Sequence, residues 1–91
     1  AMKPVVLITG CSHGLGLALA KKIVKLDQYR VIITARKASL SVLNENFKPS
    51  DSLLIKELDL NYPHTFSTLI KEIEDLWGGV DILINNASVS Y

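Results

Sequence analysis

The chain has 91 residues, enough for one small domain, and 48% of them are hydrophobic, which is ample for a core. The formal net charge is +1 with both signs interspersed, so the basic patch expected of a nucleic-acid or anionic-membrane partner is missing. The single cysteine, Cys11, excludes an internal disulfide and a zinc cluster and is consistent with a reducing, cytoplasmic location.

No segment predicts membrane insertion or export. The longest apolar runs are strand-sized, far shorter than the ~20 residues that span a bilayer. Lys3-Pro4 leads into a short apolar run rather than the longer one of a signal peptide. Ala1, which precedes Met2, is interpreted as a residue added in cloning.

Four short segments rich in β-branched residues predict β-strands at 5–9, 31–34, 53–58 and 80–84. Three of them are continuously apolar, as in strands covered on both faces. The segment 53–58 carries Lys56 and Glu57, as an edge strand would.

Three segments between these strands have helical spacing. In the first, an apolar stripe with small residues for close packing comprises Leu15, Leu19, Ile23 and Leu26 with Ala18 and Ala20. The second, 39–47, is short and is followed by Pro49. The third has start signals at Asn61 and Pro63, and Gly78-Gly79 is its stop signal.

Regular alternation of strands and helices predicts an α/β fold. Right-handed crossovers then give a parallel sheet with helices on both faces. The whole chain, 1–91, forms one such unit, because it contains no linker, repeat or low-complexity stretch.

A glycine-spaced turn lies between the first strand and the first helix. Gly10 allows a tight exit from the strand, Gly14 removes a side chain that would block a pyrophosphate, and Gly16 lets the helix pack close to the sheet. The phosphates would meet the positive end of the helix. The Gly-x3-Gly-x-Gly spacing differs from the commonest dinucleotide fingerprint, and no Lys-Ser/Thr pair follows. A purely structural turn is the alternative.

The end of the second strand predicts the choice of cofactor. A carboxylate at this place holds the ribose hydroxyls of NAD, whereas a basic residue pairs with the 2′-phosphate of NADP. The sequence there is TARK, residues 34–37, with two cations and no acid. NADP is therefore favoured over NAD, with Arg36 on the 2′-phosphate and Ser12 or His13 as further contacts. The alternative is that Arg36 and Lys37 lie in a solvated loop and bind no phosphate.

Three motifs in this chain resemble those of the short-chain dehydrogenase/reductase family. Residues 9–16, TGCSHGLG, match its Thr-Gly-x3-Gly-x-Gly motif at every fixed position. Residues 85–87 match the start of its Asn-Asn-Ala-Gly motif, in which Ser88 replaces the glycine. Asp59 corresponds to the acidic residue after the third strand. The motifs come in the family's order and cover the whole chain.

This resemblance implies a Rossmann-type three-layer fold with strand order 3-2-1-4 and the amino-terminal half of an NADP-dependent oxidoreductase. Such an enzyme transfers hydride between the nicotinamide and a carbonyl or secondary alcohol. The implied cofactor-binding residues are Gly10, Ser12, His13, Gly14, Leu15 and Gly16 at the pyrophosphate, Arg36 at the 2′-phosphate, Asp59 at the adenine, and Asn86 and Ala87 at the nicotinamide-side sugar.

The resemblance also implies a Ser-Tyr-Lys catalytic set on elements beyond the fourth strand. Tyr91 follows the fourth strand too soon to be that tyrosine, and no lysine follows it. We therefore expect either half of a longer reductase or a naturally shortened product, with no catalytic residue and no dehydrogenase activity of its own. The alternative is a non-catalytic nucleotide-binding or interaction module.

The implied strand order leaves the fourth strand, 80–84, at an edge. It is continuously apolar and lacks the lysines or prolines that blunt an exposed edge. The helix before it would be partly bare around Phe66, Ile70 and Trp77. We expect a homodimer or higher oligomer that forms through this edge, the carboxy-terminal tail or that helix.

Overall fold

The computed structural model describes residues 2–87. Ala1 and residues 88–91 lie outside the described residues, and with them the expectations for Ala1, Ser88, Tyr91 and the carboxy-terminal tail. The elements in chain order are β1 (Val5–Ile8), α1 (Gly14–Leu26), β2 (Arg30–Ala35), a 3-10 turn (Lys37–Ser39), α2 (Leu40–Asn46), β3 (Leu53–Glu57), α3 (Pro63–Trp77) and β4 (Ile82–Ile84).

The four strands form one parallel sheet in the order β3-β2-β1-β4, so the predicted fold class and strand order are confirmed. In the register, Val6 of β1 pairs with Val31 on one side and with Ile82 on the other. Because every pair is parallel, all four strands end at the same edge of the sheet. That edge is where ligands bind in open α/β sheets.

Both faces of β1 are buried, which explains why its sequence is continuously apolar. Val6 and Ile8 pack in a cluster with α1 and α2, whereas Val5 and Leu7 pack in a second cluster with α3. Side chains alternate between the faces of a strand, so each face takes every second residue. Burial of one aliphatic side chain contributes ~1.5–3 kcal/mol, so the four buried side chains of β1 contribute substantially to the stability of the sheet.

Two predicted strands end one residue later than the observed ones, and in both the ladder bonding continues past the end. Thr9 N–H donates to the Ile84 carbonyl at 3.0 Å, and Leu58 N–H donates to the Ala35 carbonyl at 2.9 Å. The second strand is longer than the predicted 31–34, because Arg30 already pairs with Val5. Differences of this size are usual at element ends.

The predicted fourth strand, 80–84, is wrong in its first two residues, since β4 is Ile82–Ile84. Asp81 meets β1 through its side chain: its Oδ2 accepts the Val5 N–H at 2.8 Å, and its own N–H donates to the Val5 carbonyl at 2.9 Å. This side-chain contact takes the place of a ladder bond at the start of the strand.

The predicted second helix, 39–47, is divided into the 3-10 turn and α2, which ends at Asn46. The third helix begins with Pro63 in its first turn, as predicted. It ends at Gly78, which has φ +85° and donates its N–H to the Glu74 carbonyl at 3.0 Å. Within residues 2–87, no helix combines the length and the apolar character that a bilayer crossing requires.

The predicted apolar stripe of α1 is correct for Ala20, which is buried, and for Ile23, which packs against the core, and it is wrong at three other positions. Leu15 is 75% exposed, Leu26 is 51% exposed and Ala18 is also exposed. The buried residues of the helix are Gly16 and Ala20, with Leu17, Ile23 and Val24 packed beside them. Gly16 packs closely against the preceding loop, so the side of the helix that carries Gly16 and Ala20 is buried and the side that carries Leu15 is exposed.

Candidate dinucleotide-binding site

A cleft of about 230 Å³ lies at the carboxyl ends of the four strands. Each strand contributes the segment that follows it, so the cleft joins parts of the chain that are far apart in sequence. Its lining consists of Gly10, Ser12, His13, Ala35, Arg36, Leu58, Asp59, Leu60, Asn86 and Ala87.

Seven of the ten residues predicted to bind the cofactor line this cleft. The other three, Gly14, Leu15 and Gly16, form the start of α1. Gly14 and Leu15 are exposed there, and Gly16 is buried. Three further residues that line the cleft were not predicted from the sequence, although each lies next to a predicted residue at a strand end. They are Ala35, Leu58 and Leu60.

Gly10 and Gly14 both have a positive φ, of +66° and +55°, which disfavours any other residue. A Cβ at Gly10 would come within 2.9 Å of the Ala87 backbone, so the turn packs directly on the segment after β4. A Cβ at Gly14 would have no atom within 4 Å. The backbone at Gly14 is therefore open to approach from outside.

Gly16 is required for a different reason. A Cβ at this position would overlap the Gly10 carbonyl oxygen and the side-chain amide of Asn86. The close packing that the sequence predicted for Gly16 is therefore made with the glycine loop itself. This contact fixes the start of α1, and the first N–H groups of a helix have no partner within it.

The hydroxyl of Thr9 joins the end of β1 to the segment after β4. Thr9 is buried, and its Oγ1 donates to Asn85 Oδ1 at 2.9 Å. The same oxygen accepts the N–H groups of Asn86 at 2.8 Å and Ala87 at 2.9 Å. One side chain thus satisfies two backbone donors that would otherwise lack partners.

Asn86 has a second link to the glycine loop. Its Nδ2 donates to the Gly10 carbonyl at 3.0 Å, while its backbone N–H is held by Thr9. The side chain that was expected beside a sugar therefore already orders the loop. Asn86 and Ala87 form one wall of the cleft in this arrangement.

Arg36 and His13 are exposed side chains on the lining of the cleft. Arg36 is exposed directly after β2, and the ion pairs within 4.0 Å in the described part of the chain, Lys3–Asp27 and Lys56–Glu72, do not involve it. Ser12 Oγ lies 3.1 Å from Nδ1 of His13, which is exposed at the start of α1. Both places suit an anion.

Asp59 contributes an acidic side chain to the lining of the cleft, from the segment after β3. Its Oδ1 accepts the Asn61 N–H at 2.9 Å, and its own N–H donates to Thr65 Oγ1 at 2.9 Å. These bonds form a turn that leads into α3 and hold the half-buried carboxylate in place.

Cys11 lies in the glycine loop but faces the core. It is fully buried, its Sγ donates to the Ile8 carbonyl at 3.3 Å, and its N–H donates to the Thr34 carbonyl at 2.9 Å. Burial raises the pKa of its thiol from 9.0 to about 11, so the thiol stays protonated at neutral pH. Residues 2–87 also contain no group of three or more potential metal ligands.

The family model described as short chain dehydrogenase matches residues 4–91. The chain therefore belongs to the short-chain dehydrogenase family, as its three motifs predicted. The chain spans about a third of the length of the curated relatives it matches.

Two relatives and one solved structure illustrate the similarity. Short-chain dehydrogenase anuI of Penicillium roqueforti is 36% identical over 97% of this chain and 36% of its own length. Carbonyl reductase (NADPH) 1 of Rattus norvegicus is 26% identical over 98% of this chain and 33% of its own length. The crystal structure of a short chain dehydrogenase from Bacillus anthracis superposes with a TM-score of 0.76 at 34% identity, over 93% of this chain and 35% of that one.

Proposed function

We propose that this chain forms the NADP(H)-binding part of an oxidoreductase that transfers hydride between the nicotinamide and a carbonyl compound or a secondary alcohol. The observation that carries the proposal is the cleft at the strand ends, whose lining includes both the glycine loop and Arg36. When bound, NADPH supplies the hydride. The chain's own residues bind and orient the adenosine and pyrophosphate portions of the cofactor.

The pyrophosphate fits the start of α1. The open backbone at Gly14 allows an anion to approach, and the N–H groups of the first turn point toward it. The 13-residue helix behind them adds the positive end of its dipole. The buried contact at Gly16 keeps these N–H donors in a fixed position. The backbone of this turn is therefore already ordered before the cofactor binds.

We propose NADP rather than NAD because the residue after β2, where the ribose of the cofactor would lie, is basic. Arg36 follows β2 where an acid would select NAD, and the acid in the cleft, Asp59, lies after β3 instead. A planar guanidinium suits a phosphate monoester. The name of the rat relative, carbonyl reductase (NADPH) 1, supports the same choice. We also propose a cytoplasmic location, because a chain with a single cysteine suits a reducing compartment.

A second candidate, a nucleotide-binding or interaction module without catalysis, is favoured by the apolar edge at β4. Ile82 is 41% exposed and Leu83 is 52% exposed, and Phe66 of α3 is 40% exposed. We propose that the 91-residue chain alone has no dehydrogenase activity and associates through this edge. Strand pairing with a second copy would cover these side chains.

Calorimetry with NADP, NAD and adenosine 2′,5′-bisphosphate tests the cofactor assignment. We expect the 2′-phosphorylated ligands to bind more tightly, and Arg36→Ala to weaken them about tenfold, or ~1.4 kcal/mol, without changing the affinity for NAD. Lys37→Ala is the matched control, because it removes the same charge from the next residue, which lies outside the lining of the cleft. Equal affinity of the unchanged chain for NAD and NADP would overturn the assignment.

The proposed absence of dehydrogenase activity in the chain alone needs a separate test. Turnover of a panel of ketones and aldehydes is measured with NADPH and NADH, using the 91-residue chain and a full-length relative such as the rat carbonyl reductase as the positive control. We expect turnover from the relative and none from the chain alone. Turnover by the 91-residue chain would contradict the proposal that the chain alone has no dehydrogenase activity.

A further inference from the structure

The free edge of β4 carries one residue whose backbone groups have no partner strand. The Ile84 carbonyl accepts the Thr9 N–H at 3.0 Å, so the backbone groups of Ile84 point toward β1. Neighbouring residues of a strand point their backbone groups to opposite edges, so those of Leu83, the middle residue of β4, point away from β1. Since β4 is the last strand of the sheet, the described part of the chain offers Leu83 no strand to pair with on that side.

A second copy of the chain fits this edge when the two β4 strands run antiparallel about a two-fold axis. The two Leu83 residues then face one another and exchange both backbone hydrogen bonds, as in any hydrogen-bonded antiparallel pair. This register places Asp81 of one copy opposite Asn85 of the other, so no two like charges meet across the edge. The half-exposed Leu83 side chains lie side by side on one face of the joined sheet and cover each other.

An apolar recess of about 240 Å³ adjoins this edge and is separate from the dinucleotide cleft. Its lining comes from α3, from β4 and from the segments after β1, β3 and β4, and consists of Thr9, Leu58, Leu60, Phe66, Leu83 and Asn85. Leu58 and Leu60 also line the dinucleotide cleft. The surface beside the second copy and the surface beside the cofactor therefore share two side chains.

The hydroxyl of Thr9 connects the recess with the cleft. Its Oγ1 donates to Oδ1 of Asn85, a recess residue, at 2.9 Å. The same oxygen accepts the N–H groups of two cleft residues, Asn86 at 2.8 Å and Ala87 at 2.9 Å. These three residues follow β4 directly. A contact that fixes β4 therefore also fixes the wall of the cleft that Asn86 and Ala87 form.

We propose that pairing of β4 with a second copy and dinucleotide binding in the cleft strengthen one another, with the Thr9 hydroxyl as the link. The second copy orders β4 and residues 85–87, so less conformational entropy is lost when the dinucleotide then contacts Asn86 and Ala87. Coupling between two binding sites is reciprocal, so each bound dinucleotide tightens the dimer by the same factor. This inference rests on the proposed NADP-binding function and on association through β4, and it assigns a regulation to the cleft.

The first test measures the dissociation constant of the dimer by sedimentation, without ligand and with saturating NADP. We expect NADP to bind the dimer about fivefold more tightly than the monomer, so saturation of both copies lowers the dimer constant about 25-fold. Thr9→Val removes the link and brings the two constants together, whereas Thr9→Ser keeps the hydroxyl and retains the effect. Thr34→Val is the matched control for loss of a buried hydroxyl, because Thr34 Oγ1 donates to the Ile8 carbonyl, away from residues 85–87.

The reciprocal test measures the affinity for NADP by calorimetry in a monomeric variant. Leu83→Lys places a charge at the two-fold axis, and Leu83 is not part of the lining of the cleft. We expect this variant to bind NADP about fivefold more weakly than the dimeric unchanged chain. Leu26→Lys adds the same charge at the end of α1 and should bind NADP as the unchanged chain does. Equal affinity of the two variants for NADP, or a dimer constant that NADP does not change, overturns the inference.

Failure of this inference is distinguishable from failure of the proposed function. NADP that binds in preference to NAD but leaves the dimer constant unchanged contradicts the coupling alone. A chain that binds NADP and stays monomeric at every concentration contradicts association and coupling, and it leaves the proposed cofactor binding intact. A chain that dimerises through β4 but binds neither dinucleotide contradicts the proposed function and the coupling together.

Discussion

The side-chain amide of Asn86 donates to the carbonyl of Gly10 at 3.0 Å, which joins two motifs that lie 76 residues apart in the sequence. Gly16 is packed against both partners of this bond. The glycine loop is therefore shaped by the segment after β4 as well as by its own glycines. Substitutions in either motif are therefore expected to change the conformation of both the glycine loop and the segment after β4.

Replacement of Gly16 by alanine is expected to destabilise the fold and disorder the glycine loop. The added Cβ would overlap the Gly10 carbonyl and the Asn86 amide, and backbone shifts of this kind cost about 1–3 kcal/mol. Urea unfolding measures the change. Gly79→Ala is the control: its Cβ meets no atom within 4 Å, and its φ of +140° confines the cost to backbone strain. Equal stability of Gly16→Ala and the unchanged chain would contradict the packing described.

Replacement of Thr9 by valine removes a hydroxyl and keeps the shape of the side chain. The partly buried N–H groups of Asn86 and Ala87 lose their acceptor, and the loss of a typical intramolecular hydrogen bond costs about 0.5–1.5 kcal/mol. Thr34→Val is the matched comparison, because Thr34 is equally buried and its Oγ1 makes one bond, to the Ile8 carbonyl at 3.2 Å. We expect Thr9→Val to lower the free energy of unfolding more than Thr34→Val. The reverse order would show that Thr9 does not link the two segments.

Cys11 is expected to react with alkylating reagents only when the chain opens. Its thiol is buried, and its pKa of about 11 keeps it protonated, whereas the thiolate is the reactive form. The folded state holds this proton to a higher pH than the unfolded state, so the stability it contributes is present below about pH 9 and falls toward pH 11. Mass spectrometry of iodoacetamide labelling, with and without urea, measures the protection. Rapid labelling of the folded chain at neutral pH would contradict it.

The apolar edge at β4 predicts that the 91-residue chain associates in solution. Leu83→Lys places a charge on this edge and is expected to shift the chain toward monomer. Leu26→Lys is a closely matched control, because Leu26 is 51% exposed and Leu83 is 52% exposed, but Leu26 lies at the end of α1. Sedimentation over a range of concentrations measures the association. A monomeric unchanged chain, or an equal effect of both variants, would contradict association through β4.

The sequence predicts the fold better than it predicts the bonds that shape the site. Alternating apolar segments indicated the layers, and Lys56 and Glu57 indicated that β3 lies at an edge. The buried side of α1 could not be predicted from its leucines, because that side includes Gly16, which has no side chain and packs against a loop rather than in an apolar stripe. Asp81 and Thr9 act on partners far away in sequence, and no periodic pattern marks a side chain that accepts a distant N–H group.

A backbone-amide NMR titration of the chain with NADP tests directly whether this cleft is the NADP site. We expect the chemical-shift changes to concentrate at residues 10–16, Arg36, Asp59 and residues 86–87, and to be larger at Arg36 with NADP than with NAD. The crevice between β3 and α3, lined by Lys56, His64 and Glu72, serves as the internal reference and should remain unchanged. Changes that concentrate in that crevice, or saturable binding that leaves residues 10–16 unaffected, would contradict the assignment of this cleft as the NADP site.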